Sequence, residues 1–424
     1  MQIKLKYGKS DQQALLPRVA TQLVPPVVPV TGTSENLIRQ ALREPLGTAS
    51  PADIFSPGEQ VVIVTSDITR YTGSEIYLPI LVELLNAAGI ADEDISIVIA
   101  LGIHRPQTGA EHEKILGPLY QRIAVYDHNC DDPAQLVDLG TTADGIPVIV
   151  NRRVAEARRV IVTGTVGFHY FAGFGGGRKG LVPGVASRAT CMASHFSIFN
   201  PSPRRGKHPQ AIPGVLEGNP VHRNLLEAAR MLRCDLLFNT VLSPDKQIIG
   251  AYAGDLEQAH LAACRQVQQL YAVDTEIADL AIISAGGEPK DINLIQAQKA
   301  LDYGSRAVRE GGTIILLAAC RDGFGHPHFF PWFDYQNLDS LEDALRANYQ
   351  INGQTAHALL TKARRFRVIL VSGFDAASCR TMGMEKAENL PQALDLALKD
   401  LPAKAKIVVI PDGGLVLPRI SDKL

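Results

Sequence analysis

The chain of 424 residues lacks any strong excess of one charge: 42 Lys+Arg stand against 44 Asp+Glu, a formal net charge of −2. Wholesale binding to nucleic acid or to an anionic membrane needs a basic face, so this balance argues against both. No apolar run approaches the about 18 residues of a membrane-spanning helix. The opening segment MQIKLKYGKSDQQALLPRV has neither an apolar core nor a small-residue cleavage site, so no secretory leader is expected. Cysteine is sparse, and Cys130, Cys191, Cys234, Cys264, Cys320 and Cys379 are scattered with no metal or redox spacing. That distribution suits buried thiols in a reducing cytoplasm and not a disulfide framework. No internal repeat stands out. What is present is 46% apolar and 20% charged residues, a globular composition, and the length suggests two or three domains at about 150 residues each.

Val/Ile-rich runs alternate with helical patterns for most of the length. Val61–Thr65, Ser96–Leu101, Ile123–Asp127 and Val160–Thr165 read as buried strands, with a helix from about Glu75 to Ala88. Leu236–Val241 and Ile248–Tyr252 read as an antiparallel pair across the turn Ser243–Lys246, followed by a helix over Leu256–Leu270. The alternation restarts with Leu280–Ser284, Thr313–Ala318, Val368–Val371 and Ile407–Ile410. The expected class is therefore α/β, with mostly parallel or mixed sheets in two domains, 1–273 and 274–424. Val24–Pro29, rich in proline, reads as an extended segment.

In open α/β sheets functional residues gather in loops beyond the carboxyl ends of strands, and four polar clusters fall there. Asp67 and Arg70 follow the first strand, where an arginine fork suits a carboxylate or phosphate; a cap and a solvated Arg are the bland alternative. His104 follows the second strand, and a neutral imidazole there can serve as a general base or simply as a surface hydrogen-bonding group. The third cluster, GFHYFAGFGGGRKGLVPGVASRATCMASH, holds His169, Gly175, Gly176, Gly177, Arg178, Lys179 and His195. Consecutive glycines let backbone approach a ligand and aim N–H groups at an anion, and Lys179 could meet a phosphate or act as an amine nucleophile. It is not a P-loop: Arg178 stands where the second glycine belongs, and Gly180 where Ser or Thr belongs. Gln296 and Lys299 share a helix face, a weak signal alone. His326-Pro327-His328 reads as a loop rather than a metal site.

Together SDITR (66–70), LGIHRP (101–106), GFHYFAGFGGGRKGLVPGV (167–185) with His195 beyond, and QAQK (296–299) resemble the nickel-pincer-nucleotide-dependent lactate racemase family. The resemblance implies inversion of the C2 stereocentre of a 2-hydroxy acid through hydride transfer and a 2-keto acid intermediate. It implies nickel and a pyridinium-3,5-bisthiocarboxylic acid mononucleotide linked to Lys179, with His195 as the metal ligand. His104 and His169 match the acid–base pair, and Arg70 the carboxylate clamp. Asp67, Gln296 and Lys299 would complete the substrate and cofactor shell, and Gly175–Gly177 with Arg178 would lie near the nucleotide phosphate. The first domain would be catalytic and cofactor-binding, the site would sit in the interdomain cleft, and partners would be the small-molecule acid and cofactor-biosynthesis proteins.

The resemblance has two departures near the expected pocket, Tyr71 where relatives carry proline and Ile295 where lactate-acting members carry an aromatic. These leave the identity of the 2-hydroxy acid open. Two rival classes remain: a kinase or dehydrogenase using the glycine loop for phosphates, and a non-catalytic cofactor-binding paralogue.

Overall fold

The computed structural model describes residues 1–26, 32–335 and 337–421. The chain divides into two compact units, one of Val28–Phe199 and Lys207–Gln269, the other of Met1–Val27, Asn200–Gly206 and Leu270–Leu424. This differs from the expected division at the amino terminus. The hairpin Gln2–Tyr7/Ser10–Leu15 buries Ile3, Leu5 and Leu16 with Leu280, Ile282 and Val409 of the second unit's core. Thr21–Gln22 then adds a parallel strand beside Ile407–Ile410. Part of the proline-rich segment, from Val27, lies outside the described residues.

The first unit is built on a six-stranded sheet in the spatial order Ile248–Gly254, Leu236–Leu242, Arg159–Thr165, Val61–Ser66, Ile95–Ala100, Ala124–Asp127. All neighbours run parallel except the first pair, which is the antiparallel hairpin expected from the sequence. Val61, Ile63, Ile97 and Ile161 are buried in the main core cluster, because helices cover the sheet and each strand needs apolar side chains facing them. The second unit repeats the theme with a six-stranded, wholly parallel sheet: Glu385–Ala387, Arg367–Val371, Val308–Leu317, Ala278–Ser284, Ile407–Ile410, Thr21–Gln22.

Where the strands of the first unit end, the backbone is held by a polar network rather than by packing alone. The buried Tyr77 hydroxyl reaches Thr72 (2.9 Å), Thr163 (3.1 Å) and Thr65 (3.2 Å). These bonds fix the loop that follows Val61–Ser66, while Gly73 at φ +77 opens the helix Ser74–Ala87. A short backbone bond from Gly102 N–H to Gly184 O (2.8 Å) ties the loop after Ile95–Ala100 to the far end of the glycine block. Three of the four polar clusters are thereby held on one edge of one sheet.

Candidate active site

Asp67 leaves its strand with a side chain that is fully buried. One carboxylate oxygen accepts from Thr69 N (3.0 Å) and Thr69 Oγ1 (2.6 Å); the other faces His104 Nδ1 at 2.5 Å and Arg70 Nη1 at 3.9 Å. Burial pushes the carboxyl up, but the bonds from His104 and Thr69 and the Arg70 charge prevail and hold it below the usual carboxylate range. An ionised Asp67 accepts, so His104 donates from Nδ1, and in the neutral ring Nε2 carries the lone pair. Asp67, expected in a cofactor shell, has its oxygens facing His104 and Thr69. Arg70 stays exposed, so its guanidinium remains available to an anion. The loop carrying His104 is braced from behind, since Gln107 Oε1 accepts from Ile68 N (3.0 Å) and Asp127 accepts from Gln107 N (2.7 Å).

His195 stands on the helix Arg188–Phe196, whose N-terminus the Ser187 side chain caps. Its Nδ1 donates to Cys191 O at 2.7 Å, which leaves Nε2 as a lone pair. Burial first, and the positive charges of Lys179 and Arg70 besides, pull its pKa down to about 4. Lys179 and Arg70 are thus the two positive charges that act on His195.

His169, His195 and Lys179 gather about Phe171, a buried side chain that the sequence reading left without a role. The His169 ring meets it edge-on at 4.5 Å, the His195 ring edge-on at 5.3 Å, and Lys179 Nζ lies 5.7 Å from its centroid. Its signal was the aromatic run HYF inside the glycine block. A large apolar residue amid glycines and bases reads as ordinary core until the three groups around it are seen.

The glycine block behaves differently from expectation. Gly175 N–H donates to Gly167 O (2.8 Å) and Gly177 N–H to Asn239 Oδ1 (2.9 Å), so these amides are not aimed at an anion. Gly177 has φ +54, and a Cβ there would lie 2.6 Å from the His260 ring; at Gly176, φ +66, it would meet Val166 and Asn239 below 3.0 Å. Both are glycine because the turn closes against its own protein. Gly175 has no atom nearer than 3.7 Å to such a Cβ, so it alone of the three fits the idea of open backbone.

Arg178, expected near a nucleotide phosphate, turns inward. Its side chain is fully buried, with Nη2 donating to Ala172 O (2.8 Å) and Nη1 3.1 Å from His260 Nε2. Burial lowers its pKa to about 10. The guanidinium anchors the short 3-10 turn Gly177–Gly180 inward, which turns its neighbour Lys179 toward Phe171 and His195. Asn239 and His260, buried polar groups on an apolar strand and helix, are the supports that the sequence reading missed. A lone Asn in LLFNTVL was the available signal.

Gln296 and Lys299 lie in the second unit on the helix Leu294–Gly304, where Lys299 Nζ donates to Gln296 Oε1 at 2.8 Å. The shared face expected from their spacing is therefore present. The His326 and His328 rings are 5.3 Å apart, and among the described residues no group of three His, Cys, Asp or Glu is arranged to hold a metal. All six cysteines are free thiols. No helix among the described residues is long and apolar enough to cross a membrane.

The α/β scaffold sets a carboxylate-held histidine, an exposed arginine, a lysine and a buried histidine on one sheet edge, groups of the kinds that serve acid–base chemistry and anion binding. Two family profiles match the chain, the lactate racemase N-terminal domain over residues 7–206 and the lactate racemase C-terminal domain over 273–417. The chain belongs to the lactate racemase family, and is an isomerase. It is 31% identical to a lactate racemase from Thermoanaerobacterium thermosaccharolyticum, covering 98% of this chain and 99% of that one. It is 34% identical to a lactate racemase from Lactiplantibacillus plantarum over 90% of each chain. The solved structure of the T. thermosaccharolyticum lactate racemase apoprotein superposes with a TM-score of 0.89 at 31% identity, covering 99% of this chain and all of that one. A Thermotoga maritima crystal structure shares the fold at a TM-score of 0.67, with 21% identity and 91% of this chain covered.

Proposed function

We propose that this isomerase inverts the C2 stereocentre of lactate or a closely related 2-hydroxy acid in the cytoplasm, using a nickel-pincer nucleotide joined to Lys179. The observation that carries the reading is the arrangement about Phe171: His195 with its Nε2 lone pair, the Lys179 amine, and Arg70 close enough for its charge to be felt at His195. The residues fit the group. Imidazole nitrogen suits nickel, and a backbone carbonyl behind Nδ1 fixes the ligating nitrogen as Nε2. The Lys179 amine, on a turn that Arg178 anchors, is the attachment point. When bound, the group supplies a metal-activated carbon able to accept the C2 hydrogen with its electron pair.

The protein's own part follows from the geometry. Arg70 holds the substrate carboxylate by its planar fork and keeps the reacting carbon in register. His104 takes the hydroxyl proton at Nε2, and the imidazolium that forms is stabilised by the buried Asp67 carboxylate 2.5 Å from Nδ1. His169, set edge-on to Phe171, serves the opposite face of C2. Gln296 and Lys299 are proposed as further polar contacts to substrate. The rival phosphate-cradling reading loses its support, because the Gly175 and Gly177 amides are bonded within the protein.

The test is intact-mass analysis after co-expression with the cofactor-making proteins, followed by a chiral assay over lactate and other short 2-hydroxy acids. An adduct mapped to Lys179, with racemisation, is the expected result. Absence of both adduct and nickel, with turnover of ATP or NAD instead, would refute the proposal.

A further inference from the structure

The two proposed acid–base histidines are gripped by opposite kinds of partner. His104 Nδ1 lies 2.5 Å from a carboxylate oxygen of Asp67, which can only accept, so Nδ1 carries the hydrogen and a neutral ring has its lone pair on Nε2. His169 Nδ1 lies 3.3 Å from the amide nitrogen of Ala172, which can only donate. There Nδ1 must be the lone pair, and a neutral ring then carries its hydrogen on Nε2. The donor is itself held fast. Ala172 is buried, and its carbonyl accepts from Phe174 N (2.9 Å) and from the fully buried Arg178 guanidinium (2.8 Å). Phe171 packs edge-on against the same imidazole.

We infer that the resting site holds its two histidines in opposite tautomers, so that His104 is a ready base while His169 is a hydrogen-bond donor locked by the Ala172 amide. The catalytic meaning of this rests on the function proposed above; the tautomers do not. A proton leaving a substrate hydroxyl can pass at once to His104 Nε2, giving an imidazolium paired with Asp67. The neutral His169 ring cannot take a proton at Nε2, because that nitrogen already bears one. It cannot give that proton up either without becoming an imidazolate. For His169 to act, its ring must leave the Ala172 amide and take up at Nδ1 a solvent proton, matched by the one that the His104 imidazolium returns to solvent; the His169 imidazolium then gives its Nε2 proton to the keto oxygen and ends neutral. Ala172 and Arg178 are thus positioning residues that gate one of the two faces.

The tautomers are read directly on the metal-free protein with 15N-labelled histidine, from two-bond 1H–15N correlations at alkaline pH where ordinary imidazoles are neutral. His104→Gln and His169→Asn assign the two signal sets. The expected result is Nδ1–H for His104 and Nε2–H for His169; the same tautomer in both rings overturns the inference. In the loaded enzyme, a single turnover from the isomer whose hydroxyl faces His104 should form bound keto acid at least about tenfold faster than from its mirror image. Equal rates would overturn the gate. If the loaded enzyme racemises nothing, the proposed function fails while the tautomer spectra still decide this inference.

Discussion

Replacing Asp67 by Asn keeps the volume and removes the charge at the centre of the site. The oxygen of the new carboxamide would stay with Thr69, whose N and Oγ1 both donate to that position at 3.0 and 2.6 Å. Its NH2 would then face His104 Nδ1, where the carboxylate oxygen had stood at 2.5 Å. An N–H facing Nδ1 forces that nitrogen to accept, and the ring hydrogen moves to Nε2, the nitrogen proposed to receive the substrate proton. The comparable change in a serine protease triad costs about 10⁴ in kcat, and a positioned general base contributes about 10²–10⁴. The expected loss in kcat is therefore roughly 10²–10⁴-fold, or about 3–5 kcal/mol of barrier. KM should hold or fall, because Arg70 loses a competing carboxylate 3.9 Å away. The Asp67 carboxyl is held below its unfolded value, so its contribution to stability is present above the unfolded carboxylate pKa and disappears as pH falls through the folded one. The variant should lack that part of the acid dependence. The assay is chiral chromatography of lactate at equal Lys179 adduct occupancy, with melting curves beside it. A kcat within about threefold of the parent at equal occupancy would refute the reasoning.

Acidification should weaken the first unit before it protonates Asp67: burial pulls His195 to about 4 and His222 to about 3, and holds His260 well below its ordinary value. The unfolded chain binds these protons first, so stability is complete above the ordinary histidine pKa and declines as pH drops below it; calorimetry between pH about 7 and 4 checks this, and a flat melting temperature would count against it. The three consecutive glycines should respond unequally to alanine. Gly177→Ala, with φ +54 and the His260 ring 2.6 Å from the new Cβ, should cost about 2–4 kcal/mol, whereas Gly175→Ala should cost under about 1 in denaturant titration. Phe171→Ala should destabilise by about 3–5 kcal/mol and lower nickel occupancy at the proposed His195 site, while Phe171→Leu should keep most of the stability. Equal metal content in both Phe171 variants would show that the ring does not set the site.

Several features were legible in the residues themselves because their cause is local. Val61–Ser66 and Arg159–Thr165 announce themselves as buried strands, since a sheet covered on both sides needs unbroken apolar runs. Leu236–Leu242 and Ile248–Gly254 pair as the turn between them suggests. His195 falls on a helix begun by Ser187 because a capping hydroxyl is written in the sequence. The lactate racemase motifs are equally local, short strings in a fixed order.

What the tertiary structure alone decided concerns direction and partnership. In GGGRKG the sequence offers two cations side by side, but the fold buries Arg178 against Ala172 O and His260 and turns Lys179 toward Phe171. In SDITR it offers a carboxylate and a guanidinium, but the carboxylate belongs to His104, 37 residues away. Residues 1–27 join the second unit because Ile3 and Leu5 find their apolar partners there. Periodicity and caps are set by neighbours a few positions apart, so a sequence determines them. A hydrogen-bond partner or a buried face is set by whichever distant strand the chain folds against, and only the assembled sheet fixes that.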